Sequence, residues 1–218
     1  GAIATVLCLI LAYPLAYSIS RSGERVQQTM VMIIMLPMWM NFLLRTYSWM
    51  SILENNGLLN QLFQQIGLID LYNQIAMHFA SDPAAYVPID HFQMIGTQGA
   101  VVLGMVYNYL PFMILPIYSV LVKLAHSLIE AARDLGASSV QVFRKVILPL
   151  SLPGVLSGIT MVFVPSVSTF AISRLLGGGT QMMLGDLIEQ QFLGGAYNPQ
   201  LGAAIALVMM AIVVVCML

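Results

Sequence analysis

Charged side chains are scarce in this sequence: they make up 8% of its 218 residues, whereas a soluble domain carries roughly 25%. Hydrophobic residues make up 59% of the composition, which is more apolar surface than a soluble fold of this size buries. The formal net charge of -1 lacks the basic excess of a nucleic-acid-binding surface. The composition therefore predicts a membrane protein without a nucleic-acid partner.

Cysteine is nearly absent as well. Cys8 and Cys216 lie in apolar runs and have no neighbouring ligand pattern. A disulfide or a metal pair is therefore improbable, and we expect buried thiols.

Five apolar runs each approach the 20 or so residues that a membrane-spanning helix needs. They cover residues 2–20, 30–49, 100–122, 150–172 and 201–218. This pattern predicts an all-α integral membrane fold, with residues 1–218 forming one transmembrane domain. The first residue is Gly1, without the basic start of a signal peptide, and the last run ends without a polar flank. We expect residues to be missing at both ends.

The distribution of basic residues predicts which loops face the cytoplasm, because cytoplasmic loops collect Lys and Arg. Residues 51–99 contain no Lys or Arg and are expected to be external. Two other loops carry most of the basic residues, namely Arg21, Arg25, Lys123, Arg133, Arg144 and Lys145. These loops, including residues 123–149, are expected to be cytoplasmic.

Part of the external segment has helical periodicity. Apolar residues recur after Gly57 at the spacing of one helix face, at Leu58, Leu59, Leu62, Phe63 and Ile66. This spacing predicts a short amphipathic helix, which would lie either at the membrane interface or as a lid on the bundle. Residues 81–90 contain two prolines and are expected to form a loop.

The cytoplasmic segment 123–149 is polar but not of low complexity. Ser127 precedes Glu130 by three residues, the spacing of a capping box, which predicts a helix over residues 128–135. Gly136 suits the left-handed position after that helix.

A second helix is expected after this glycine. Ser138 or Ser139 would cap it, and Pro149 would end it at the membrane face. Two short helices joined by a glycine form a compact knob that could fit a groove on a soluble partner. A plain surface loop is the alternative.

This segment resembles the EAA motif of the permease subunits of ABC importers. The motif reads E-A-A, three residues, G, nine residues, I, any residue, L-P, and the sequence departs from it only by Val146 in place of isoleucine. In that family the segment docks on the ATP-hydrolysing subunit. The resemblance implies this coupling role for Glu130, Ala131, Ala132, Asp134, Gly136, Leu148 and Pro149.

Four further stretches resemble the spermidine/putrescine permeases of the PotB type. They are residues 13–16, 36–39 with 44–47, 109–113 and 176–179. That family has six spans, so the resemblance implies that the first span is absent here and the last is cut short. It also implies a second permease chain, an ATPase dimer, an extracytoplasmic binding protein, a small-molecule solute and a location in the bacterial cytoplasmic (inner) membrane among its lipids. Iron, thiamine and sulfate are alternative solutes.

A phosphate-cradling loop is missing from the sequence. The G-x-x-x-x-G-K-[ST] pattern needs a Gly-Lys pair, and none occurs. We therefore expect a transporter subunit that is not itself an enzyme and holds no cofactor, with ATP and Mg²⁺ on the separate ATPase.

Several polar residues in or near the spans are candidates for the solute pathway, because ionisable groups there are costly. Arg45 could line the pathway or extend to the lipid headgroups. Trp39, Asn41, Tyr107, Asn108 and Tyr109 could form a polar and aromatic lining for a cationic amine, or could serve interhelical packing. Asp186 and Glu189 could guide a polyamine inward, or form a solvated face.

Two other kinds of membrane protein fit the sequence less well. An intramembrane enzyme would need histidine or paired carboxylates at membrane depth, but His78 and His91 are in the external segment and His126 is in the cytoplasmic one. A channel or secondary transporter would usually carry midplane charges or repeated half-helices, and no repeat is evident.

Overall fold

A computed structural model describes residues 1–79, 88–124, 126–179, 182–194 and 197–217. The described residues form twelve α-helices and no strand, which confirms the expected all-α membrane fold. The helices are α1 Ala2–Ser20, α2 Glu24–Met35, α3 Phe42–Leu53, α4 Leu58–Gln65, α5 Leu68–Phe79, α6 Gln98–Leu121, α7 His126–Asp134, α8 Ser139–Val142, α9 Leu148–Ser168, α10 Ala171–Leu176, α11 Leu184–Leu193 and α12 Pro199–Met217. A 3₁₀ turn, Leu36–Trp39, follows α2, and a π-helical turn, Phe143–Ile147, joins α8 to α9.

The core is built from α1, α6 and α9, which pack against one another. Small residues of α1 recur every fourth position and are fully buried, at Ala4, Cys8, Ala12 and Ala16. Small side chains on one helix face let neighbouring backbones approach closely, which is how membrane helices associate without a hydrophobic driving force. Cys8 is a buried free thiol, as expected, whereas the side chain of Cys216 lies outside the described residues.

The contact between α6 and α9 depends on two glycines of α9. A Cβ atom at Gly154 would lie 2.8 Å from the carbonyl oxygen of Pro116 and 3.2 Å from the Cα atom of Ile117. A Cβ atom at Gly158 would lie 2.8 Å from the sulfur of Met113. The two helices therefore touch backbone to backbone at Gly154.

We expect Gly154→Ala to destabilise the fold by about 1–3 kcal/mol, because the added methyl group meets backbone atoms that cannot move aside. Thermal unfolding of the purified protein in detergent measures the loss. The matched control is Gly99→Ala in α6, where the nearest atom to the new methyl group is 3.7 Å away. Equal unfolding temperatures for the two variants would contradict the close approach.

The second apolar run does not form the single continuous span predicted over residues 30–49. It divides into α2 with its 3₁₀ turn and, after a break at Met40 and Asn41, α3. The two parts are bent by 91°. Pro37 lies in the 3₁₀ turn, and the Asn41 side chain accepts a hydrogen bond from the Leu43 N–H (2.8 Å), which starts a new helix.

Within the described part of the chain, three helices are long and apolar enough to cross a membrane, and the bent pair adds a fourth crossing if it forms one span. The three are Ala2–Ser20, Gln98–Leu121 and Ser139–Ser168. They contain most of the first, third and fourth predicted runs, and Pro199–Val215 of the fifth run is a shorter apolar helix. The fourth run breaks at Thr169, so its last residues belong to α10.

Two asparagine side chains form hydrogen bonds within the segment that the sequence predicts to be external. The amide of Asn60 donates to the Phe92 carbonyl (3.0 Å) and accepts from the Phe92 N–H (3.0 Å). Asn73 makes the same pair of bonds with Ile89, at 2.9 and 3.0 Å. Each asparagine side chain thus bonds to both backbone polar groups of one residue, as a neighbouring strand would. These bonds link α4 and α5 to the chain that leads into α6.

The amphipathic helix expected after Gly57 is confirmed as α4, whereas α5 was not predicted. One side of α4 packs on the core through Leu59, while Leu58 and Leu62 on the other side are exposed. Of the predicted loop over residues 81–90, only residues 88–90 fall within the described part, so most of that prediction lies outside the described residues.

Candidate coupling segment and transport pathway

Helix α7 ends in a hydrogen-bonded glycine turn. The N–H of Gly136 donates to the Arg133 carbonyl (2.8 Å), and the N–H of Ala137 donates to the Ala132 carbonyl (3.1 Å). These two bonds form a Schellman motif, which requires a left-handed residue at the glycine position. The φ of Gly136 is +81°, as the sequence predicted. The chain reverses sharply here and places α7 against α8 and the π turn.

The predicted start of this helix is wrong. Ser127 lies inside α7, which begins at His126, so it does not form a capping box with Glu130. The next cap is confirmed: the Ser138 side chain accepts from the Gln141 N–H, and the Gln141 side chain accepts from the Ser138 N–H (2.9 Å). Helix α8 therefore begins where the sequence placed it.

Pro149 does not end the second helix, contrary to prediction. The chain continues through the π turn into α9, so residues Ser139–Ser168 form one helical unit. The Leu148 N–H bonds to the Phe143 carbonyl, five residues back. A proline in an α-helix lacks an N–H and clashes with the carbonyl four residues before it, here that of Lys145. The wider π turn accommodates Pro149 without a break.

The candidate coupling segment, which lies within residues 123–149, presents an apolar surface. Within α7, Ile129 is buried and Ala132 is half-buried. Leu128 is 49% exposed, and Leu135, just after the helix, is 89% exposed. A groove of about 430 Å³ runs beside them. It is lined by Ala132, Leu135, Gly136, Ala137, Gln141, Val142, Lys145 and Val146. Glu130, Ala131, Asp134, Leu148 and Pro149 are exposed around this surface.

A cavity of about 380 Å³ lies beside α6, between two places where the helical structure is interrupted. It is lined by Phe42, Leu43, Tyr109, Pro165, Ser168, Thr169, Phe170 and Ala171. One break precedes α3 and the other separates α9 from α10. Irregular backbone at membrane depth is tolerated where protein covers it or where it lines a cavity, and transporters bind solutes at such places.

The chemistry of this cavity suits a cation. The carbonyl of Pro165, in the last turn of α9, accepts from the Thr169 N–H (2.9 Å) and faces the Tyr109 hydroxyl at 3.4 Å. The C-terminal end of a helix carries partial negative charge. The rings of Phe42, Tyr109 and Phe170 add aromatic faces, which attract ammonium groups.

Residues 4–218 match the protein family described as "Binding-protein-dependent transport system inner membrane component". The chain belongs to this family. It is accordingly a multi-pass inner-membrane protein and a component of a binding-protein-dependent transport system.

Curated relatives agree with this membership. The chain is 37% identical over 191 residues to the "Spermidine/putrescine transport system permease protein PotB" of Escherichia coli strain K12, an alignment that covers 88% of the chain and 62% of the relative. PotB of Haemophilus influenzae is also 37% identical, over 88% of the chain and 60% of the relative. The "Inner membrane ABC transporter permease protein YdcU" of E. coli K12 is 32% identical, over 94% and 62%. The chain therefore spans about six tenths of the length of these relatives.

Of the pathway candidates in this permease, Tyr109 is the one that lines the cavity. Tyr107 packs edge-on against Trp49, with ring centroids 5.3 Å apart. Trp39 is 77% exposed at the end of the 3₁₀ turn, and Asn41 caps α3. Tyr107 therefore fits helix packing, and Asn41 fits helix capping.

Two candidates are buried polar groups without complete hydrogen bonding. Arg45 is 8% exposed, so it does not extend to the surface, and its Nε and Nη1 atoms have no partner among the described residues. Asn108 is fully buried and donates to the Gly104 carbonyl (2.9 Å), while its Oδ1 atom has no partner in the described part of the chain. An unpaired ionisable group in a membrane bundle is costly and marks a functional position by default.

Asp186 and Glu189 are both engaged inside the chain. Asp186 is buried and accepts from the Ser173 hydroxyl (2.7 Å) and from the Met183 N–H (2.8 Å) at the start of α11. Glu189 forms an ion pair with Arg174. Asp186 is thus not part of a solvated face, and both carboxylates line a pocket of about 210 Å³ beside Arg174.

The sequence did not single out Phe42, Ser168, Thr169 or Phe170. A signal was present in Pro165, which precedes a run of hydroxyl and β-branched residues that favours the end of a helix. Nothing local indicated that this end would face the start of α3.

Proposed function

We propose that the chain is the membrane-spanning permease subunit of an ATP-driven importer that takes up a small cationic solute. The observation that carries this proposal is the exposed coupling segment. The Gly136 turn joins α7, with its exposed apolar side chains, to the helical unit Ser139–Ser168. The other end of this helical unit lies at the aromatic cavity, next to Thr169. A push on the knob would therefore tilt the helix that lines the solute site.

The energy would come from a separate chain. The sequence has no phosphate-binding lysine loop, and the exposed face of α7 offers an apolar helix to a groove on a soluble partner. We assign Glu130, Ala131, Ala132, Asp134, Gly136, Leu148 and Pro149 to this contact. The partner would be a pair of ATPase subunits that hold ATP and Mg²⁺, and this chain holds neither.

The proposed solute is spermidine or putrescine. The cavity offers three aromatic rings, the hydroxyl groups of Ser168 and Thr169, and the negative end of α9. These groups favour an amine and would not hold an anion such as sulfate. The names of the two PotB relatives, which are 37% identical to the chain, support the same class of solute.

Two further partners complete the proposal. The family description implies an extracytoplasmic binding protein, which would deliver the solute to the external side formed by α4 and α5. A second permease chain would enclose the pathway, because the cavity at Tyr109 is open on one side in the single chain.

The test is uptake of labelled spermidine into vesicles that contain the assembled transporter, with the binding protein outside and ATP inside. We expect ATP-dependent uptake that unlabelled putrescine competes away and sulfate does not. Uptake of sulfate, iron or thiamine with no response to putrescine would overturn the choice of solute. Spermidine uptake that does not require ATP would overturn the importer mechanism.

A further inference from the structure

One phenylalanine joins the coupling segment to α1. Phe143 is the first residue of the π turn, and its ring packs edge-on against two tyrosines that lie one turn apart on α1. The ring centroid of Tyr13 is 5.7 Å away and that of Tyr17 is 6.2 Å away, with interplanar angles of 85° and 87°. Edge-to-face contacts of this kind are directional, so the ring of Phe143 is held from two sides.

The two tyrosines are themselves fixed. The hydroxyl of Tyr13 shares a hydrogen bond of 2.8 Å with the fully buried hydroxyl of Ser151 on α9. The guanidinium of Arg21 lies 5.5 Å above the ring of Tyr17. Tyr13 and Tyr17 thus form a rigid receptor on α1 for the ring of Phe143.

The exposed surface of α7 is connected to the ring of Phe143 through α8 and the π turn. Helix α7 packs on α8 and the π turn. Phe143 lies at the junction of α8 and the π turn, and its carbonyl accepts the five-residue hydrogen bond of that turn. π turns inside helices are frequent at functional sites, and this junction is a place where the helix can change direction.

We propose that Phe143 is a positioning residue which makes α1 follow the movement of α7, and we call Phe143, Tyr13 and Tyr17 the aromatic clamp. The proposal rests on the importer function given above. A displacement of α7 passes along the chain to α9 and, through the aromatic clamp, sideways to α1. The two core helices then move together, and the cavity at the far end of α9 opens or closes as a unit.

The primary test follows the distance between α7 and α1 in the assembled transporter. Spin labels at Arg133→Cys, an exposed position of α7 outside the residues assigned to the ATPase contact, and at Leu15→Cys, with Cys8 and Cys216 replaced by alanine, report this distance with and without trapped ATP. We expect a narrow distribution that ATP leaves unchanged. In Phe143→Leu the distribution should broaden and shift with ATP, while Phe143→Tyr should restore the narrow one. A narrow, unshifted distribution in Phe143→Leu would overturn the proposal.

A second measurement separates coupling from folding and from the choice of solute. In vesicles, Phe143→Leu should lower the spermidine transported per ATP hydrolysed by about tenfold, which corresponds to ~1.4 kcal/mol, while ATP hydrolysis continues. Phe112→Leu, a half-buried phenylalanine of α6 outside the aromatic clamp, should retain the wild-type ratio. An unchanged ratio in Phe143→Leu counts against the clamp. If wild type moves no spermidine but the distances behave as described, the proposed solute fails and the aromatic clamp stands.

Discussion

Gly136→Pro should abolish transport in the assembled importer while leaving the chain inserted in the membrane. Gly136 has a φ of +81°, and its N–H bonds to the Arg133 carbonyl. Proline has no N–H and holds φ near -65°, so it cannot form the turn, at a cost of about 3 kcal/mol or more. The orientation of α7 against α8 would be lost, and ATP hydrolysis should no longer respond to the loaded binding protein. The measurement is solute-stimulated ATPase activity in vesicles.

A matched pair of alanine variants isolates the backbone conformation. No atom of the described residues lies within 4 Å of a Cβ built at Gly136 or at Gly23, which precedes α2. The two glycines differ in φ, which is +81° at Gly136 and -63° at Gly23. Gly136→Ala should therefore cost about 1–2 kcal/mol and weaken coupling, whereas Gly23→Ala should be neutral. Normal solute stimulation in Gly136→Pro would show that the turn is not part of the coupling device.

Tyr109→Leu should raise the KM for spermidine by about 2- to 30-fold, which corresponds to the ~0.5–2 kcal/mol of a cation–π contact. The leucine fills a similar volume but removes the aromatic face and the hydroxyl beside Pro165. Tyr109→Phe retains the ring and should remain close to wild type. Concentration-dependent uptake in vesicles separates the change in KM from any change in maximal rate.

The control for this variant is Tyr118→Leu, on the same helix. Tyr118 is half-buried and its hydroxyl donates to the Gln27 side chain (3.1 Å), away from the cavity. We expect its KM for spermidine to remain that of wild type, even if the protein is less stable. Equal KM values for the two leucine variants would place the solute site elsewhere.

The coupling segment was predictable from sequence because its structure follows from local rules. The glycine turn and the Ser138 cap depend on neighbouring residues alone, and both were found in place. Ser127 failed as a cap because the residues around it are good helix formers, and the helix begins at His126, two residues before the predicted start. A capping serine and a run of helix-forming residues can favour different helix starts, and the sequence alone does not determine which start is adopted.

The interior of the bundle was less predictable, for a different reason. In an apolar run, periodicity does not mark where a helix breaks, so the bend at Asn41 and the π turn before Pro149 were missed. The continuation past Pro149 is stabilised by contacts of Phe143 with α1, which are distant in sequence. Similarly, the cavity unites Phe42, Tyr109 and Thr169 from three separate segments, and no single window of sequence contains that information.

Cross-linking tests directly whether α7 docks on an ATPase at the cytoplasmic face. Single cysteines would replace Leu135 on α7 (89% exposed) and Leu71 on α5 (56% exposed), with Cys8 and Cys216 changed to alanine. We predict that Leu135→Cys forms a covalent adduct with the ATPase subunit and that Leu71→Cys does not. An adduct from Leu71→Cys, or the absence of one from Leu135→Cys in an assembled complex, would contradict the account.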